Sequence, residues 1–261
     1  MNFFDSHAHY NDEKFEHDRD EVISLVKDEG ITRLVCVGYN IESSRFAEKI
    51  SGDHDFIYHS CGISPNDIPQ TEQELWKELD EIKKMATQNN RKLVAIGEIG
   101  LDYYWNKENA DLQKEAFIEQ IKLANECNLP IIIHTREAVS DTIDILKNKE
   151  KSLNTGIFHC CPLNRELVKE ALKLGYYISF AGPITFKNSK NADEIINMVP
   201  LDKILIETDS PYLSPEPNRG KRNDSRNVKF MAQKMANVRQ MPLEEIAKVT
   251  YENANRVFKL V

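Results

Sequence analysis

The chain has 261 residues, 34 basic against 42 acidic, a net charge of −8, 41% hydrophobic and 29% charged residues. That profile is of a folded globular protein and excludes a disordered or collagen-like chain. The length admits one large domain or two small ones, and a (β/α)₈ barrel needs about 250 residues.

Short apolar runs fall at about 2–5, 33–38, 56–62, 92–97, 130–134, 155–159, 176–180 and 203–207, with room for a helix in every gap. They predict eight strands. Between them Leu75, Leu79, Ile82 and Ala86 form one helical apolar stripe, and Phe117, Ile121 and Ala124 another. The eighth strand is followed by a Pro-rich loop at 211–224, a helix near 226–239, and a last helix opened by Pro242 at its first turn, with Glu244 and Glu245 behind it. That helix keeps Ile246, Val249 and Val257 on one face. Runs such as Ile131-Ile132-Ile133 and Leu34-Val35-Cys36-Val37 are too continuously apolar to have a wet face, so the sheet is expected to be parallel and covered by helices. Eight such units close into a barrel. The competing doubly wound sheet would show a Gly-rich turn after the first strand, where this chain reads Asp-Ser-His-Ala-His. We therefore expect one α/β domain, a TIM (β/α)₈ barrel spanning residues 1–261.

No apolar stretch approaches the roughly 18 residues of a membrane span, and Met-Asn-Phe-Phe-Asp lacks the order of a signal peptide. A cytoplasmic protein is expected, nuclear if eukaryotic, with no membrane partner. Cys36, Cys61, Cys127, Cys160 and Cys161 form an odd set without Cys-x-x-Cys spacing, so no disulfides are expected. The net charge repels nucleic acid at long range, and binding a polyanion would need a local basic patch or bound cations.

The reactive residues recur at the carboxyl ends of the predicted strands, where a barrel carries its active site. His7 and His9 close the first strand, two residues apart, so both project from one face while Ser6 and Ala8 face away. Glu98 ends the fourth strand, His134 the fifth and His159 the sixth, and Asp209 follows the eighth. A single histidine at such a place is ordinarily a hydrogen-bonded rim residue. Six nitrogen and oxygen donors at one rim, using four of the chain's seven histidines, point instead to metal. They are more donors than one tetrahedral ion uses, which suggests two divalent ions about 3.5–4 Å apart, joined by a carboxylate.

These residues carry a resemblance across nearly the whole chain. Asp5-Ser6-His7-Ala8-His9, Gly97-Glu98-Ile99-Gly100-Leu101-Asp102-Tyr103-Tyr104, Pro130-Ile131-Ile132-Ile133-His134-Thr135-Arg136, His159-Cys160, Glu207-Thr208-Asp209-Ser210-Pro211-Tyr212-Leu213 and the closing Glu252-Asn253-Ala254-Asn255-Arg256-Val257-Phe258 resemble TatD-family metal-dependent deoxyribonucleases of the amidohydrolase-like barrel superfamily. The resemblance implies that His7, His9 and Asp209 bind one metal and His134 and His159 the other, with Glu98 bridging. It also implies an exonuclease-like attack on DNA phosphodiesters by an activated water, with Asp209 as proton acceptor and the second ion assisting the leaving oxygen. Zinc, manganese or magnesium would serve. Two runs depart from the family pattern. Gly62-Ile63-Ser64-Pro65-Asn66 has Ser64 where a phosphate-touching histidine is expected, and His159 is followed by Cys160-Cys161-Pro162-Leu163.

For substrate, the expected contacts are Ser64, Arg136, the cations Arg219, Lys221 and Arg222, and Tyr103, with Tyr104 and Trp105 beside it as base-stacking candidates. The expected partner is DNA, single-stranded or at an end. Two other readings stay open: an amide or ester hydrolase on a related barrel, in which a carboxylated lysine usually takes the place of Glu98, and a barrel that binds metal or DNA without catalysis.

Overall fold

A computed structural model describes residues 1–260. Its eight strands are β1 (Phe3–Ala8), β2 (Ile31–Val37), β3 (Ile57–Cys61), β4 (Leu93–Asp102), β5 (Ile131–Arg136), β6 (Gly156–Phe158), β7 (Tyr177–Phe180) and β8 (Ile204–Ile206), all parallel and ordered as in the chain. The barrel closes where β8 runs out and meets β1. Ala8 bridges Ser210, the Asp209 amide donates to the His7 carbonyl at 2.9 Å, and the His9 amide donates to the Ser210 carbonyl at 2.7 Å. Around it stand α1 (Arg19–Asp28), α2 (Ile41–Asp53), α3 (Glu72–Ala86), α4 (Ala110–Glu126), α5 (Val139–Asp144), α6 (Arg165–Lys173), α7 (Ala192–Met198), α8 (Val228–Arg239) and α9 (Leu243–Val257). Among the described residues no helix is long and apolar enough to cross a membrane, and all five cysteines are free.

The core has two layers because each strand buries both faces. Inside the barrel lie Phe4, Val35, Ala95, Ile132, Ile157, Tyr177 and Leu205, capped at the amino-terminal end by Val257 and Phe258 from α9 and its C-terminus. Phe4 stacks on Phe258 with centroids 5.7 Å apart, and truncating so buried a ring costs about 3–5 kcal/mol. Outside, Leu34, Ile96, Ile131 and Ile133 meet the predicted helical stripes, with Leu75, Leu79 and Ile82 of α3 and Phe117, Ile121 and Ala124 of α4 all buried. Side-chain caps start several helices: Asn40 forms a capping box on α2, Thr71 caps α3 and Asn164 caps α6.

The structure departs from the sequence reading in three places. β1 and β4 continue past their apolar runs, to Ala8 and Asp102, because backbone pairing persists where the side chains turn polar. Pro242 precedes α9 instead of sitting in its first turn. Most consequentially, the β1–β2 register slips between Asp5 and Ala8. Ser6 keeps the inward parity of Phe4 and so does not face away, its hydroxyl meeting Ser179 Oγ at 3.0 Å and donating to the Ile206 carbonyl, and the bulge turns the next residue, His7, inward as well. A second slip, between Ile96 and Ile99 on β4, does the same for Glu98. Two bulges thus re-aim two of the site's residues.

Candidate metal centre

β1, β4 and β5, with the segments just past β6 and β8, deliver side chains to one point at the carboxyl end. His7 and His9 come from the bulged end of β1, Glu98 from β4, His134 from β5, His159 from just past β6, and Asp209 from a turn after β8 in which its φ of 54° is left-handed. Aspartate tolerates that conformation better than most residues. Gly100 is required where β4 crosses β5: a Cβ there would lie 2.0 Å from the His134 carbonyl oxygen, and its φ is +140°.

The two oxygens of Glu98 face different histidine pairs. Oε2 lies 3.5 Å from His7 Nε2 and 3.8 Å from His9 Nε2, while Oε1 lies 2.8 Å from His134 Nδ1 and 3.2 Å from His159 Nε2. Asp209 Oδ1 completes the first group, 3.5 Å from His7 Nε2 and 3.3 Å from His9 Nε2, and the two imidazole nitrogens are 3.0 Å apart. In the second group His134 Nδ1 and His159 Nε2 are 3.2 Å apart. A zinc–nitrogen bond of 2.0–2.1 Å sets donors of one tetrahedron about 3.3–3.4 Å from each other. The separations in the two groups, 2.8–3.8 Å, scatter around that spacing.

Hydrogen bonding behind the ligands fixes which nitrogen points inward. His9 donates Nδ1–H to the Val37 carbonyl at 3.0 Å, and His134 donates Nε2–H to Asp102 Oδ2 at 2.9 Å, so the opposite nitrogen of each is turned toward the cluster, where a metal would displace its proton. Glu207 stands 3.4 Å from His159 Nδ1, without a hydrogen bond's alignment, and accepts the Cys160 amide at 2.6 Å. Asp5 accepts the Thr208 amide at 2.9 Å and the Ser225 hydroxyl at 2.6 Å, tying the ends of β1 and β8 together.

The electrostatics ask for cations. Glu98, Asp102, Glu207 and Asp209 lie together, three of them buried, and none is paired with lysine or arginine among the described residues. Burial opposes the charge on Glu98, yet His159, His134 and His7 hold its carboxyl well below the usual range. Burial likewise opposes the charge on Asp209, which His9 and His7 outweigh, so it too is held low. Burial pulls against protonation of His159 and His134, but Glu98 and Glu207 beside the first, and Asp102 and Glu98 beside the second, push them up. Ionised acids facing inward-directed imidazoles form a nest for divalent metal.

The model of the family described as TatD related DNase matches residues 4–259. The chain belongs to the TatD family. YabD of Bacillus subtilis, described only as a metal-dependent hydrolase, is 45% identical over 98% of this chain and 99% of its own length. YcfH of Escherichia coli, described in the same terms, is 35% identical over all of this chain and 97% of its own. Among solved structures, the Escherichia coli TatD homologue YjjV superposes with a TM-score of 0.92 at 24% identity, covering 99% of this chain and 98% of that one. This chain is accordingly a metal-dependent hydrolase of the TatD family, its His, Glu and Asp groups positioned for metal.

The residues assigned to substrate in this TatD chain fall differently from the ligands. Ser64 is buried, its hydroxyl donating to Asp67 at 2.8 Å and accepting the Asn66 amide, so it is engaged within its own loop. Arg136 pairs with no acid among the described residues; its guanidinium carbon lies 3.7 Å from the centroid of Tyr104. Tyr103 is tucked in, its hydroxyl donating to Asp141 at 2.7 Å, and the exposed aromatics are Tyr104 and Trp105. The basic loop does not converge. Arg219 lies over Phe186, Arg222 grips Asp18 and the Lys14 carbonyl, and Lys221 makes no ion pair among the described residues.

Asp102, Glu207 and Asp5 are the functional residues that the sequence reading left without a role, although all three stand in the motifs that carried the ligands. Each has the signature of an acid close to a ligand on a strand end, with no basic residue nearby to pair with. Asn223 is a fourth, buried in the loop after β8 and holding its turn by donating to the carbonyls of Thr208 and Tyr212 at 2.9 and 2.7 Å.

Proposed function

We propose that this protein hydrolyses DNA phosphodiester bonds at a single-stranded or frayed end, using two divalent ions held at the barrel rim with Glu98 between them. The observation that carries the reading is the split of Glu98, with one oxygen toward His7 and His9 and the other toward His134 and His159. Bound there, two divalent ions supply a nucleophile from water at neutral pH and neutralise the charge that builds on a phosphodiester.

The chain's own residues do the rest. Asp209, kept ionised by His9 and His7, is the most open of the carboxylates in the first group, with 15% of its side chain exposed against 9% for Glu98. Its Oδ1 faces the two imidazoles, and Oδ2 is the atom that takes the proton of the attacking water. Asp102 holds His134 in one tautomer. Lys221 and Arg219, exposed on the loop after β8, neutralise backbone phosphates that the acidic protein would otherwise repel. The histidine-rich donor set suits zinc or manganese better than magnesium.

Purified protein supplied with zinc, manganese or magnesium is expected to shorten single-stranded DNA and to stop when a chelator is added. Absence of cleavage of single- and double-stranded DNA with each metal shown to be bound would overturn the reading.

A further inference from the structure

Past the barrel rim β4 and β5 run on together as a two-stranded ribbon, pairing Gly100 with His134, Leu101 with Thr135 and Asp102 with Arg136, and the Tyr103 amide donates to the Arg136 carbonyl at 2.9 Å. The chain then presents Tyr104 and Trp105 to solvent, 50% and 68% exposed. Their rings meet edge to face with centroids 4.8 Å apart, and the exposed Arg136 guanidinium lies 3.7 Å from the Tyr104 centroid and 5.5 Å from that of Trp105. Two large aromatic rings and an unpaired arginine left in water add nothing to the core.

This surface is tied to the metal centre by one buried carboxylate. Asp102 Oδ1 accepts the amides of Tyr104 and Trp105 at 2.9 and 3.1 Å, while Oδ2 accepts His134 Nε2–H at 2.9 Å. The position of the aromatic pair is therefore set relative to a ligand of the second metal group through a single side chain.

We propose that Tyr104, Trp105 and Arg136 form a stacking platform for one unpaired nucleobase of the strand being cleaved. The proposal rests on the reading of DNA as substrate and deepens it. Aromatic rings and a guanidinium plane take the face of any base without reading its edge. Within a duplex those faces are covered by neighbouring bases, so the platform selects a single strand or a frayed end. It also gives Arg136 a task other than clamping phosphate.

The chain has two tryptophans, so Trp76→Phe leaves Trp105 as the sole reporter. Zinc-loaded protein of that background is titrated with a phosphorothioate octathymidylate, which resists cleavage, and with an abasic strand carrying the same linkages. Stacking predicts saturable quenching of Trp105 by the thymidylate, and binding weaker by about tenfold both for the abasic strand and after Tyr104→Ala. In the hydrolysis assay Trp105→Ala is expected to raise KM on single strands by about tenfold with kcat within about twofold, and Trp105→Phe to restore KM. Equal affinity for the two strands, or no quenching at saturation, overturns the platform even where DNA is hydrolysed. Quenching that requires bases upholds it even where hydrolysis of DNA fails, so the two readings fall separately.

Discussion

Glu98 carries a role that no neighbour duplicates, because its two oxygens serve different donor groups. Changing Glu98 to Ala is expected to lose both ions, whereas His134→Ala weakens one; metal content per chain decides this, and loss of a single ion from both variants would remove Glu98 from the bridge. Asp102→Asn leaves the donor set complete but misdirects His134, and is expected to weaken metal at that group by about 10–100-fold with an unchanged circular dichroism spectrum. A different residue makes a pH-dependent contribution to stability. His59 on β3 is buried against Ser51, and burial, with the charge of Lys92 second, pulls its imidazole down to about 4. The folded state thus resists a proton that the unfolded chain accepts from about pH 6.5 downward. Stability is fully present above 6.5 and falls by about 3 kcal/mol as pH drops to 4, since each pKa unit is worth about 1.4 kcal/mol. Urea unfolding of the wild type and His59→Gln between pH 7 and 4 tests this, the variant losing that slope. At this scale the six clustered donors were legible because histidine and carboxylate stand out at the ends of apolar runs. Asp102, Glu207 and Asp5 were not, because each acts on a residue that only the fold brings beside it, Asp102 on His134, Glu207 on His159, and Asp5 on Thr208 and Ser225.

Among elements, the two bulged strand ends carry the donor cluster and the loop after β8 carries the proposed phosphate contacts. The loop carries three cations in four residues, but Arg222 is held by Asp18 and Arg219 lies on Phe186, which leaves Lys221 the most available. Neutralising all three is expected to raise KM for DNA and flatten its salt dependence by about 0.7–0.9 of a logarithmic unit for each phosphate no longer neutralised. Lys221→Ala alone should account for most of the change, measured as KM against salt concentration, and a triple variant with wild-type KM and slope would make the loop a solvated turn. The eight strands and the helical stripes were legible as apolar periodicity. The extensions of β1 and β4 were hidden, since a paired strand whose side chains turn polar looks like a loop in sequence. Ser64 was misleading for a related reason: a hydroxyl free in sequence proves to be bonded to Asp67 within its turn.

For the whole molecule, the barrel is drawn shut at the place where metal would bind. β8 reaches β1 through the Ala8–Ser210 bridge and two backbone hydrogen bonds, and the nitrogens of His7 and His9 from β1 stand within 3.3–3.8 Å of Asp209 from beyond β8 and Glu98 from β4. Metal binding therefore cross-links the first and last strands. At a hundredfold excess over its Kd, one ion is expected to add about 2.7 kcal/mol and raise Tm by about 5–10 °C, read by thermal melts with and without chelator. No shift would mean that no ion binds the folded state in preference to the unfolded chain. The barrel itself was legible in eight evenly spaced apolar runs, whereas its closure through ligand-bearing residues was not, because no local pattern records which two distant strand ends meet. On the proposed function, a pair of ions bridged by Glu98 makes this TatD-family chain a nuclease. The most direct test titrates metal-free protein with zinc or manganese and follows cleavage of single-stranded DNA against ions bound per chain. Activity is expected to rise to a plateau at two ions per chain and to be abolished by chelator. Full occupancy with no phosphodiester cleaved, or full activity at one ion, would contradict it.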